Sequence, residues 1–410
     1  MPSVLGLVSH SWTRAQAATV AGRYRHHVTR IDLSIPGDVR FGGGRLAEVP
    51  GVLAGWGTRR ALLVTGRSPE RAAALIDGMQ ALGMVVATYS VSGEPSVQVV
   101  RDGVAAAAEC DAVVGFGGGS ALDVAKAVAV LAITGADPLE HLEVIGEGRP
   151  IAAAGLPCVA IPTTAGTGSE VTRNSVLSGD GVKASLRSPL MLPRLAVVDP
   201  DLLLGVPRVT IAASGMDALA QLIEPFLSRK ANPVTDALAR DGIVRSARSL
   251  RRAHRDGMVD PSVREDLAIA SLFGGLCLAN AGLGAVHGFA AALGARLGAP
   301  HGAVCAAVLA PAVEVNLRAA RRRATDRSVV SRFADLAVLL TGNPTARPEA
   351  AVGWLAELTA SLQVPGLRTY GLTDSDTAEV VAAAQRASSM KGNPIELTDD
   401  EVAEILTRAS

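Results

Sequence analysis

Residues 111–126 read DAVVGFGGGSALDVAK. The first six, Asp111 to Phe116, form a short Val-containing apolar run of the kind that makes a buried parallel strand. Gly117, Gly118 and Gly119 then force a turn, and from Ala121 small apolar residues continue as a helix. Strand, glycine turn and helix N-terminus in that order make an anion site. Glycine lets backbone N–H groups approach phosphate oxygens, and the helix dipole favours negative charge. Ser120 is expected to cap the helix and offer a hydroxyl. The spacing does not match the G-x-x-x-x-G-K-[ST] loop of phosphate-loop nucleotidases.

Working outward, similar short apolar runs lie at 61–65, 84–89, 158–161 and 195–198, separated by helical stretches at 69–82, 97–109 and 121–131. This alternation predicts an α/β layer structure around a mostly parallel sheet. A second polar loop, PTTAGTGSE at 162–170, follows the run at 158–161. Ligands of open α/β sheets bind at the carboxyl ends of strands, where both loops fall. Either loop alone could be a tight or solvated turn; two on successive strands favour a ligand edge. After about residue 206 the strand-like runs stop. Helical segments follow at 209–227, 233–252, 262–280 and 285–297, and Asn232-Pro233, Asp260-Pro261 and Ala299-Pro300 mark helix boundaries. The expected organisation is an N-terminal extension (1–30), an α/β dinucleotide-binding domain (31–206) and an all-α helical metal and substrate domain (207–410). A cleft between the last two is the expected ligand site.

Composition excludes several function classes. The 410 residues hold 39 Lys+Arg against 39 Asp+Glu, so no net field favours nucleic acid or an anionic membrane. No uninterrupted apolar stretch approaches about 18 residues, so no membrane span is expected. The start of the chain shows no basic-then-apolar signal, and a cytoplasmic location is expected. Its first 30 residues, with Arg14, Arg23, Arg25, His26 and His27, read as a polar extension. Cys110, Cys158, Cys277 and Cys305 are scattered without CxxC spacing, and the expectation is buried, reduced thiols.

In the helical half Asp217 and Gln221 stand at i and i+4, on one helix face. His287 and His301, two of seven histidines, sit in glycine-containing and otherwise apolar sequence. A buried carboxylate and two imidazoles suit a divalent transition metal. Each His could equally be a satisfied core or cap residue, and spacing alone does not bring the three together.

Taken in order, the motifs resemble the iron-containing (type III) alcohol dehydrogenases, a family with a dehydroquinate synthase-like fold. They are FGGGRL (41–46), GGGSALDVAK (117–126), PTTAGTGSE (162–170), GMDA (215–218), GAVHG (284–288), PHG (300–302) and KGNP (391–394). The resemblance implies a Rossmann-like domain followed by an all-α domain. It implies a pyrophosphate site at Gly117, Gly118, Gly119 and Ser120, with Asp123 also on the cofactor side. Thr163, Thr164 and Thr167 would line the nicotinamide side, and Lys183 would reach a ribose. Asp217, Gln221, His287 and His301 fall on the four metal-ligand positions, for Fe2+ or Zn2+. Asn174 would face substrate, a small alcohol or carbonyl compound. A homodimer is the family-level expectation.

Three departures stand out. The second ligand position, usually His, is Gln221, and an amide oxygen is a weaker, harder donor. The position four residues after His287, commonly His, is Ala291. After Val64-Thr65 the acidic residue of many NAD-using relatives is missing, and Gly66, Arg67 and Ser68 stand there instead. Without that acid nothing repels a 2′-phosphate, and Arg67 can pair with one, so NADP(H) is expected over NAD(H). The leading reading is a metal-assisted dehydrogenase or carbonyl reductase. The alternatives are a metal-free keto-acid reductase similar to maleylacetate reductases, with Arg173 and Arg187 holding an anion, and a non-redox lyase or cyclase on the same fold.

Overall fold

Ala61 and Leu63 face one way and Leu62 and Val64 the other, yet all four are fully buried. A strand alternates its side chains, so burial of both sets requires helices on both faces. The computed structural model describes residues 31–179, 182–294 and 296–410, so the 1–30 extension lies outside the described residues. Leu33–Ser410 forms one compact unit. Its main sheet has six parallel strands in the order β1 (Asp38–Phe41), β8 (Leu195–Val198), β5 (Cys158–Pro162), β4 (Ala112–Gly117), β2 (Arg60–Thr65) and β3 (Val85–Ser90). On one face Leu62, Val64 and Val113 pack with residues of α3 (Val97–Ala106) and α4 (Gly119–Leu131). On the other, Ala61, Leu63 and Val114 pack with α1 (Val49–Gly55) and α2 (Ala73–Ala81).

Three features of this half differ from expectation, the first being β1 itself, which no apolar run marks. The helix after the glycine turn starts at Gly119, and its N-cap is Gly118, with no side-chain cap. Ser120 therefore lies inside the first turn and does not cap it. A small antiparallel hairpin, β6 (Asn174–Gly179) with β7 (Val182–Arg187), also stands apart from the sheet. These strands are polar and short, NSVLSG and VKASLR, so apolar periodicity did not reveal them.

From Arg208 onward every described element is helical: α5 (Arg208–Leu227), α6 (Pro233–Asp256), α7 (Pro261–Ala281), α8 (Ala285–Gly294), α9 (His301–Arg323), α10 (Ser328–Thr341), α11 (Pro348–Ser361), α12 (Thr377–Arg386) and α13 (Asp399–Ala409), with short 3-10 turns between some of them. Asn232 caps α6 through the backbone N–H groups of Val234 and Thr235, and Asp260 caps α7 through that of Ser262. In both helices proline at the first position needs no N–H partner. α5 is the central element, buried continuously from Gly215 to Leu227. α9 is long and apolar enough to cross a bilayer, but 78% of its apolar window is buried within the protein, as in a core helix.

Candidate functional site

Strand register builds the first part of the site. Thr65 pairs with Phe116, and Gly117 pairs with Pro162. The turns that follow β2, β4 and β5 therefore emerge side by side at one edge of the sheet. Gly66, Arg67 and Ser68 form the first, Gly117–Gly119 and Ser120 the second, and Thr163, Thr164 and Thr167 the third. The second and third touch: Thr163 N–H donates to Gly117 O at 2.9 Å. A Cβ on Gly119 would lie 2.7 Å from Thr167 Cγ2, so only glycine permits this approach. Gly168, at φ +58°, has a second constraint, since a Cβ there would meet the backbone of Gly275 in α7 at 2.4 Å. That contact fixes the third loop against the helical half.

Asp123 and Lys126 lock this edge from beneath. Asp123 accepts from Ser169 Oγ and from Val176 N–H, and its carboxylate lies 3.3 Å from Lys126 Nζ. The fully buried Lys126 ammonium donates to Ser169 O and Thr172 Oγ1. Burial pulls its pKa below the ordinary lysine range, against the opposing pull of Asp123. Both Asp123 oxygens are thus engaged in holding the third loop and β6 to α4. In the sequence the signal for Lys126 is its isolation among the apolar residues of 121–131. Glu170, at the end of the loop, is buried without a hydrogen-bond partner on either oxygen, and burial raises its pKa to about 7.

The residues expected on the cofactor side are exposed to different degrees. Arg67 and Ser68 are exposed beyond β2. Lys183 Nζ is 2.9 Å from Glu94 Oε2, with its side chain only 7% exposed, and its charge acts on His301. Asn174 opens β6, where its carbonyl accepts from Lys126 Nζ. No described hydrogen bond links Asn174 to the residues around Asp217. Arg187 is engaged with Glu143 at 3.5 Å on a half-exposed surface.

The second part of the site comes from three helices. Asp217 and Gln221 project from the buried stretch of α5, His287 from the first turn of α8, and His301 opens α9. Asp217 Oδ1 is 3.3 Å from His287 Nε2 and 3.6 Å from His301 Nε2. The two imidazole centroids are 5.5 Å apart. Cys305, one turn after His301, joins them: one donor atom from each of Asp217, His287, His301 and Cys305 lies within 4.8 Å of the others. Cys305 is buried, as expected of a reduced core thiol, but it faces this cluster. Ala291 lies on the exposed side of α8.

Glu224, absent from the expected set, completes the support. His287 Nδ1 is 2.6 Å from Glu224 Oε2, so Nδ1 carries the proton and Nε2 faces Asp217. The other Glu224 oxygen accepts from Val286 N–H at 2.7 Å. Asn393 Oδ1 accepts from Ala285 N–H and seats the start of α8. The helical spacing Asp217, Gln221, Glu224 was the signal for Glu224, and KGNP was the signal for Asn393.

This donor set fits a cation. Asp217 Oδ1, Gln221 Oε1 and His287 Nε2 are all buried without a hydrogen-bond partner. Orphaned buried acceptors are costly unless something binds them. Burial pulls the His287 pKa down, but Asp217 and Glu224 outweigh it and raise it to about 10, so an ion that binds Nε2 would displace a proton from it. Burial also opposes ionisation of Asp217, yet His301 and His287 keep its carboxyl below the usual range. Two carboxylates that draw a proton to this imidazole equally favour a metal ion there.

Comparison with known proteins bears on both parts. The family model for iron-containing alcohol dehydrogenase matches residues 36–200, and that for the C-terminal region of the Fe-containing alcohol dehydrogenase family matches 211–410. Alcohol dehydrogenase 4 of Schizosaccharomyces pombe is 33% identical over 98% of this chain and 92% of its own length. The crystal structure of a 1,3-propanediol oxidoreductase covers 93% of this chain and all of its own, with 32% identity and a TM-score of 0.86. That of sulfoacetaldehyde reductase from Bifidobacterium kashiwanohense, in complex with NAD+, covers 93% and 99%, with 29% identity and a TM-score of 0.81.

Proposed function

Since the chain belongs to the iron-containing alcohol dehydrogenase family, we propose that it is a metal-assisted dehydrogenase and carbonyl reductase that prefers NADP(H). It is an oxidoreductase acting on CH–OH groups, with a small alcohol as its substrate class, which sets the lyase and cyclase alternative aside. The observation that carries the metal-centred reading is the trio of unpartnered buried acceptors, Asp217 Oδ1, Gln221 Oε1 and His287 Nε2, beside His301. When bound, a divalent ion supplies Lewis acidity to the alcohol or carbonyl oxygen, and a nicotinamide accepts or supplies the hydride.

The residues of the chain divide the remaining work. Backbone N–H groups of the 117–120 turn meet the cofactor phosphates at the N-terminus of α4. Thr163, Thr164 and Thr167 border the same edge, and the Lys183 ammonium, paired with Glu94, acts electrostatically on His301. Glu224 holds His287 in the tautomer whose Nε2 is free to bind a metal ion. Arg67, exposed in the Gly66–Ser68 turn that directly follows β2 and holds no acidic residue, supports the 2′-phosphate preference. The metal-free keto-acid reading draws support from Gln221, but Arg187 is already paired with Glu143.

Elemental analysis of anaerobically purified protein, compared with His287→Ala, tests the metal centre. About one iron or zinc per chain is expected for a single site, and it should be lost in the variant. No ion after reconstitution sinks the metal-assisted reading. Comparison of kcat/KM for NADPH and NADH tests the cofactor, and parity between them sinks the NADP(H) preference.

A further inference from the structure

The helical centre contains one donor more than its carboxylate, imidazole and amide set requires. His301 and Cys305 stand at i and i+4 on α9, so both side chains face α5, as Asp217 and Gln221 on α5 face them. Cys305 is fully buried and unoxidised. Its Sγ lies within 4.8 Å of donor atoms on Asp217, His287 and His301. A tetrahedral ion with donors at about 2.0–2.3 Å spaces them by about 3.3–3.8 Å. Asp217 Oδ1 already meets that spacing with both imidazoles, at 3.3 and 3.6 Å. Closing the thiol onto the same point asks only for a small side-chain movement. The surroundings independently call for a ligand, because Asp217, 98% buried, and His287, 93% buried, each present an unpartnered atom here.

We propose that the Cys305 thiolate is the fourth protein ligand of this centre, replacing the imidazole missing at position 221 and directing the site toward thiophilic ions, zinc above all. The assignment rests on the metal-centred reading above. Gln221, one turn from Asp217 on α5, then leaves the fourth position to the sulfur. On binding, the Sγ–H proton passes to solvent as the sulfur–metal bond forms. With Asp217 and Cys305 both anionic, the protein donors neutralise a divalent ion in full, whereas an amide at that position leaves one positive charge. Softness of the sulfur favours zinc over hard, oxygen-preferring ions such as magnesium. His301, whose side chain is 35% exposed, marks the open side through which an ion reaches the buried sulfur.

Cobalt(II) added to the metal-stripped full-length protein is the probe. A cobalt–thiolate bond gives an intense near-ultraviolet charge-transfer band that carboxylate, imidazole and amide donors do not give. The unaltered protein is expected to show this band at one cobalt per chain, Cys305→Ser to bind cobalt without it, and Gln221→Ala to retain it. Zinc dissociation constants should rise at least about tenfold in Cys305→Ala, the lower end for disturbing a metal's surroundings. Stoichiometric cobalt without the band in the unaltered protein overturns the thiolate and leaves the metal centre standing; that spectrum needs no variant to fold. Loss of metal in Gln221→Ala with full retention in Cys305→Ala also overturns it. Failure of the unaltered protein to bind cobalt or zinc overturns the centre and the thiolate together.

Discussion

The cofactor edge and the donor cluster solve the same problem, holding charged ligands, by opposite routes. At the edge, the 117–120 and 163–170 loops are neighbours because β4 and β5 run in register, Gly117 opposite Pro162. Each loop is a continuous piece of sequence, and its donors are mostly backbone N–H groups that any residue with the right backbone could present. In the cluster, Asp217, His287 and His301 arrive from three helices and offer side-chain atoms alone. An edge of backbone donors tolerates side-chain change as long as nothing fills it. A cluster of side chains loses its function with a single donor.

That contrast can be broken or sharpened by substitution. The largest effect is expected for Asp217→Ala, which removes the anion shared by both imidazoles. Loss of several kcal/mol of Lewis-acid assistance corresponds to a fall in kcat/KM of about a thousandfold, with metal content falling alongside by elemental analysis. Glu224→Gln preserves shape but weakens the grip on His287 Nδ1. Metal affinity should drop about 10- to 100-fold, while the cofactor dissociation constant stays unchanged; a shift in cofactor binding of the same size would show that Glu224 acts more widely.

Gly119→Val probes the edge. Its new Cβ would lie 2.7 Å from Thr167 Cγ2, and overpacking of this kind costs about 1–3 kcal/mol. NADPH affinity, read by fluorescence titration, should weaken about tenfold with metal content intact; equal loss of metal would show that the two regions form one cooperative unit. Arg67→Asp should lower the NADPH-to-NADH ratio of kcat/KM roughly fivefold, the scale of an exposed charge contact of about 1 kcal/mol. An unchanged ratio would remove Arg67 from cofactor selection. The smallest effect belongs to Arg187→Ala, which cuts an exposed pair with Glu143. Stability by thermal melting should move by no more than about 0.5 kcal/mol, and a collapse in keto-acid turnover instead would revive the anion-binding role for Arg187.

Sequence alone located β2, β3, β4, β5 and β8, the helices between β2 and β5, and the purely helical remainder. It also located both polar loops of the edge, since these are local signals: apolar runs, glycine turns, and proline after Asn232 and Asp260. It missed the four-residue β1 and the β6–β7 hairpin, whose strands are polar, and it placed Ser120 at a cap that Gly118 occupies. Only the tertiary structure decided what surrounds Asp217. Asp217 and Cys305 are far apart in the chain, and no spacing rule specifies that α5, α8 and α9 bring their donors within 4.8 Å. Glu224 likewise reads as an ordinary helical acid until α8 places His287 2.6 Å from it. Burial of the apolar faces of α5, α8 and α9 set how these helices pack, and polar side chains distant in sequence meet only where that packing puts them.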